Sequence, residues 1–214
     1  TRVVPMMRVM QRLATGVRIA GWAAASAAIV AATLPATAQA QSASAAPGAP
    51  AAQRAEAHSS PPGFMEEFEG QFGASAQKLV ALARAMPAST YDWSPGDGVA
   101  SVARVFMHIA RYNYMYPHEN MDRQSPVSPA EYAQWEDEVT DKDEVVEILE
   151  ASMEYVRDVA GSMSPGDLDE ATMLYGRSVG EWAVLLQLVT HMNEHLGQSI
   201  AYAGMNGVEP QWSR

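Results

Sequence analysis

The sequence predicts an all-α protein, a four-helix bundle preceded by a signal peptide and a disordered linker. Three observations carry that expectation. Four stretches beyond residue 63 repeat apolar residues every three or four positions, the period of a helix with one buried face. Pro, Gly and Ser cluster between these stretches and stop them. No run alternates convincingly with period two, so strands are not expected. The composition agrees: 48% hydrophobic and 18% charged residues over 214 positions is ordinary globular usage.

The charge divides the chain in two. Residues 1–61 hold five Arg and one Glu, and residues 62–214 hold nine Lys+Arg and 24 Asp+Glu, giving +4 and −15. A domain that acidic lacks the basic face a nucleic-acid binder needs, so no nucleic-acid partner is expected. The absence of cysteine excludes a disulfide scaffold, a thiolate nucleophile, a Cys-ligated zinc and an iron–sulfur cluster.

Residues 1–40 read as a signal peptide. Arg2, Arg8, Arg12 and Arg18 precede an uncharged run from Ile19 to Leu34, followed by Ala36-Thr37-Ala38 and Ala38-Gln39-Ala40, both small-x-small cleavage sites. The run is Ala-rich and shorter than the roughly 20 residues a span requires. No stable membrane span is therefore expected after cleavage, and the mature protein is expected in the periplasm or secreted. Residues 41–62 are rich in Ala, Pro, Ser and Gln with no large apolar side chain to bury, and read as a flexible linker. His58 lies in it and reads as a bystander.

The bundle occupies residues 63–214, enough for one sizeable core and too few for two. The first helix runs from Phe64 to Met86 through Phe68, Phe72, Leu79 and Leu82, and Pro87 ends it. After a turn-rich stretch, Ser101 caps a second helix through Val105, Phe106, Ile109 and Tyr112 to about Pro117. The long loop over 117–139 suits a crossover. Thr140 with Asp143 reads as a capping box opening a third helix from Val145 to Met163, stopped by Ser164-Pro165-Gly166. Ser178 with Glu181 reads as a capping box for the fourth helix, which ends near Gly204 or Gly207.

The chemistry sits on two seams. In the fourth helix Val184, Leu188, His191, His195, Gln198 and Tyr202 are separated by steps of four and three, which keep one stripe facing a partner helix. The stripe begins apolar and turns into His-His-Gln-Tyr. His191 and His195, one turn apart, point the same way and suit two imidazoles on one metal. In the second helix Ser101, Val105, His108, Tyr112 and Met115 repeat the pattern, placing His108 on an otherwise apolar seam. A third imidazole from another helix completes three protein ligands plus an open position, the usual build of a catalytic metal site. His118, beyond Pro117, reads as exposed. His191 to His195 also matches H-x-x-E-H, but on a regular helix Glu194 points away from both rings, which argues against a metalloprotease.

The block Trp93-Ser94-Pro95, Ser101-Val102, His108-Ile109-Ala110, His191 to Gln198 and Asn206 to Pro210 resembles the DinB-like superfamily over most of residues 64–212. That resemblance implies a four-helix bundle with one metal-ligating His on the second helix and a His-x-x-x-His pair on a later one. By position these are His108, His191 and His195. Zinc is the first expectation, with nickel or iron as alternatives, because imidazole accepts all three. The resemblance also implies a metal-dependent hydrolase or thiol group transferase acting on a small molecule, and a homodimer. The alternatives are a non-catalytic periplasmic metal-binding or stress protein, and an interaction module with vestigial histidines. Four neighbours of the three histidines are candidate catalytic residues: Tyr112 as proton donor, Arg111 as partner of an anionic group, and Gln198 and Tyr202 to orient substrate.

Overall fold

The computed structural model describes residues 58–213. The expected signal peptide and residues 41–57 of the expected linker lie outside the described residues. Four long helices carry the domain: α1 (Phe64–Ala85), α2 (Val102–Met121), α5 (Lys142–Ser162) and α7 (Glu181–Met205). Two one-turn helices, α3 (Pro129–Tyr132) and α4 (Trp135–Glu138), lie between α2 and α5. A third, α6 (Pro165–Leu168), and a hairpin of β1 (Ala171–Leu174) and β2 (Arg177–Gly180) lie between α5 and α7. Among the described residues no helix is long and apolar enough to cross a membrane.

The expected apolar stripes form the core. Phe72, Leu79 and Leu82 from α1 meet Phe106 and Ile109 from α2, Val145, Leu149 and Val156 from α5, and Val184, Leu185 and Leu188 from α7, all essentially inaccessible. Each such side chain contributes about 1.5–3 kcal/mol through burial. On α7 Leu186 is exposed, and Met192 is buried. The four helices pack in a ring, α1 against α5, α5 against α2, α2 against α7 and α7 against α1. The segment after α2, expected to be a crossover, therefore joins two neighbours. The loops before α2 and before α7 make the diagonal crossings.

Helix ends show where local signals hold. Ser101 caps α2 as expected, its hydroxyl accepting from the Arg104 N–H. That helix runs through Pro117 to Met121, because both side chains are buried and Asp122 closes the end in the left-handed region (φ 52°). The cap of α5 is Asp141 and not Thr140; the Asp141 carboxylate accepts from the N–H groups of Asp143 and Glu144. Its first residue, Lys142, donates to the Arg84 and Met86 carbonyls, binding the end of α1 to the start of α5.

Ser178 caps nothing. It lies in β2, and α7 begins directly at Glu181 after Gly180 without a side-chain cap. The two strands are four residues each, too short for their alternation to stand out in the sequence. The turn between them places Tyr175 (φ 50°) and Gly176 (φ 75°) in the left-handed region, the signature of a tight hairpin turn. Leu174 anchors it, buried beneath.

The last residues of the expected linker pack on the domain. The His58 carbonyl accepts from the Trp182 indole N–H at 2.8 Å, and the Ser60 N–H donates to Asp169 at 2.6 Å. Gly180 permits this approach: a methyl group there would fall on the His58 carbonyl oxygen and 2.7 Å from Trp182.

Candidate metal centre

The 4–3 spacing on α2 and α7 turns His108, His191 and His195 toward one another where the two helices pack. Ring centroids lie 5.0 Å apart for His108 and His191, 4.8 Å for His108 and His195, and 4.6 Å for His191 and His195. One nitrogen from each ring lies within 4.8 Å of the other two. Atoms so spaced share a point within about 2.8 Å of all three, so a shift of less than about 1 Å reaches the 2.0–2.1 Å of a zinc–imidazole bond.

Hydrogen bonds assign two of the three tautomers. His195 Nδ1 lies 2.8 Å from Gln198 Oε1, an atom that only accepts, so Nδ1 carries the proton. Gln198 Nε2 then donates to the Tyr202 hydroxyl at 3.0 Å, which donates to the Ala100 carbonyl at 3.2 Å. His108 Nδ1 lies 3.0 Å from Glu136 Oε1 and donates to it. In both rings Nε2 is left with its lone pair free.

His191 is different. It is 7% exposed, and both of its ring nitrogens are buried without a hydrogen-bond partner. Burial, with the neighbouring His195 and His108 adding repulsion, pushes its pKa down to about 3, so it is a neutral base in the folded protein. A buried polar group left unpaired costs about 1–3 kcal/mol. A cation shared with the other two imidazoles would satisfy it, and the donor set fits a divalent transition metal: three neutral nitrogens, with no sulfur and no carboxylate among them.

The other expected site residues fall around this cluster. The Tyr112 ring lies 4.6 Å from the rings of both His108 and His191. Arg111 donates to Glu136 Oε1 at 3.0 Å, so the anionic group it meets belongs to the protein. Gln198 and Tyr202 form the relay behind His195. Glu194 is exposed, as the helical geometry required, and His118 is half-buried with Nδ1 3.2 Å from the Arg123 carbonyl oxygen. A cavity of about 240 Å³ reaches the His108 and His195 rings and is lined also by Ala100, Arg104, Val105, Glu136 and Gln198.

Sequence reasoning missed Glu136. It sits on α4, 28 residues beyond His108, in a run of three acidic residues that looks like a solvated loop. Its carboxylate nonetheless touches His108, Arg111 and Arg104, at 3.0, 3.0 and 3.6 Å. The hydrogen bond from His108, with the bond and charge of Arg111, outweighs burial and holds the carboxyl below its ordinary range. No spacing rule points to it, because tertiary packing alone brings it there.

A family model described as the DinB superfamily matches residues 71–203, a span holding all three histidines. Among solved structures the chain is similar to a DinB-like protein from Bacillus cereus ATCC 10987, with a TM-score of 0.59 at 15% identity. The match covers 68% of this chain and 94% of that one, and at such low identity it speaks for the fold. A search of curated proteins finds no match.

Proposed function

The chain belongs to the DinB superfamily, and from that premise we propose that His108, His191 and His195 hold one divalent metal ion, zinc first, with which the protein acts as a hydrolase or group transferase on a small molecule. The observation that carries the reading is His191: a buried, neutral imidazole with no partner on either nitrogen, between two rings whose own hydrogen bonds leave a nitrogen free.

When bound, such an ion supplies Lewis acidity and makes a water or thiol a better nucleophile near neutral pH. The protein's own residues do the rest. Gln198 and Tyr202 hold the His195 ring in place through a chain that ends on the Ala100 carbonyl. Tyr112, against two of the rings, is the group assigned to deliver a proton. Substrate enters by the cavity that reaches His108 and His195. That opening favours catalysis over a carrier role, because a site built only to hold metal gains nothing from access for a second molecule. The export reading of residues 1–40 places this chemistry outside the cytoplasm.

Elemental analysis of protein purified from an exporting host tests the reading. A stoichiometric divalent ion is expected, lost in His108→Ala with the fold kept. A metal-free native protein that takes up no added zinc would sink both the catalytic and the carrier readings. Metal without turnover across a panel of hydrolase and thiol-transfer substrates would leave the carrier.

A further inference from the structure

His195 is oriented by Gln198 of its own helix, and His191 by no hydrogen bond. His108 alone is oriented from elsewhere in the chain: its Nδ1 meets Glu136, on the one-turn helix α4. The Glu136 side chain is 11% exposed although Asp137 and Glu138 beside it are exposed. Trp135, next to it, is buried against Tyr114 and Tyr132, which fixes α4 on the flank of α2. Arg111 donates to the same oxygen that accepts from His108, and Arg104 lies 3.6 Å from the other while holding Asp137 at 2.8 Å.

We propose that Glu136 is a positioning residue of the metal centre, fixing His108 in the tautomer and orientation that present Nε2 to the ion. The proposal rests on the three-histidine reading above. A carboxylate behind a ligating imidazole fixes which nitrogen is protonated, stops the ring from turning and raises the basicity of the nitrogen that binds. Arg111 shares the oxygen that His108 bonds and Arg104 lies against the other, so both arginines hold the carboxylate to α2 beside the ring. Part of the grip on the metal is thereby placed in the segment between α2 and α5. A merely structural Glu136, tying α4 to α2 through the two arginines, would affect folding and leave the ion alone.

The test uses the full chain, wild type and the variants Glu136→Ala and Glu136→Gln. Zinc affinity is measured by chelator competition, and the visible absorption of the cobalt-loaded protein reports coordination geometry. Glu136→Ala is expected to bind zinc about 10–100-fold more weakly and to shift the cobalt spectrum. Glu136→Gln, which keeps an acceptor but loses the charge, is expected to fall between. Unchanged affinity and spectrum in both variants would overturn the proposal, even with a lowered melting temperature. Should Glu136→Ala not fold, Glu136→Gln decides by the same two readouts. Wild-type protein that binds no zinc would instead remove the three-histidine reading, and this one with it.

Discussion

A buried imidazole with two unpaired nitrogens is a liability in a protein without its ion. Replacing His191 with Leu, close to it in volume, removes that liability. The metal-free His191→Leu variant is expected to be more stable than metal-free wild type by about 1–3 kcal/mol, measured by urea unfolding in chelator. A loss of stability would show that the ring is satisfied in a way the structure does not display. The same side chain sets a pH dependence. Its pKa falls from 6.5 in the unfolded chain to about 3 in the fold. Its burial adds no proton-linked cost above pH 6.5 and destabilises the fold increasingly as pH drops toward 3, because the unfolded chain takes up a proton that the folded one refuses. The slope approaches about 1.4 kcal/mol per pH unit. Urea unfolding of metal-free wild type between pH 6.5 and 4 is expected to show this slope in excess over His191→Leu, and parallel curves would refute it. The three histidines were legible in the sequence because steps of four and three along a helix report a shared face. Glu136 was not, since its partner His108 lies 28 residues away on another element.

The elements separate into bodies and ends. Apolar periodicity located all four long helices, and their cores are buried where the stripes predicted. The caps were harder. A hydroxyl or carboxylate near a helix start is a common sequence event, and only the backbone decides which one meets the free N–H groups. Thr140 and Asp141 are adjacent, and the carboxylate captures two N–H groups where Thr140 was expected to cap. Ser178 was read as a cap because the hairpin that absorbs it is too short to announce itself. Substitution separates the true caps from the false ones. Ser101→Ala and Asp141→Ala are each expected to cost about 1 kcal/mol, whereas Thr140→Ala and Ser178→Ala should stay within about 0.5 kcal/mol of wild type. Melting curves of the four variants at one pH provide the comparison. Equal losses in all four would mean that the helix starts are placed wrongly.

At the scale of the whole molecule, the bundle was legible and its ring order was not. Amphipathic stripes say that four helices share a core but not which pairs touch, because each stripe faces the centre whichever neighbour stands beside it. The observed order puts α2 beside α7, and the three imidazoles meet across that pair alone. One ion held by all three would join two helices 83 residues apart from His108 to His191. Binding to the native state only should stabilise the domain as mass action dictates: about 4 kcal/mol at zinc a thousandfold above its dissociation constant. For a domain of this size that is a rise in melting temperature of roughly 8–16 °C. Hydrogen exchange should place the added protection first in α2 and α7, around His108 and His191 to His195, and less in α1 and α5, which supply no ligand. The triple variant with His108, His191 and His195 changed to Ala should show neither effect. Zinc-dependent stabilisation that persists in that variant, or protection centred on α5, would locate the ion elsewhere, and the seam between α2 and α7 would then be only packing.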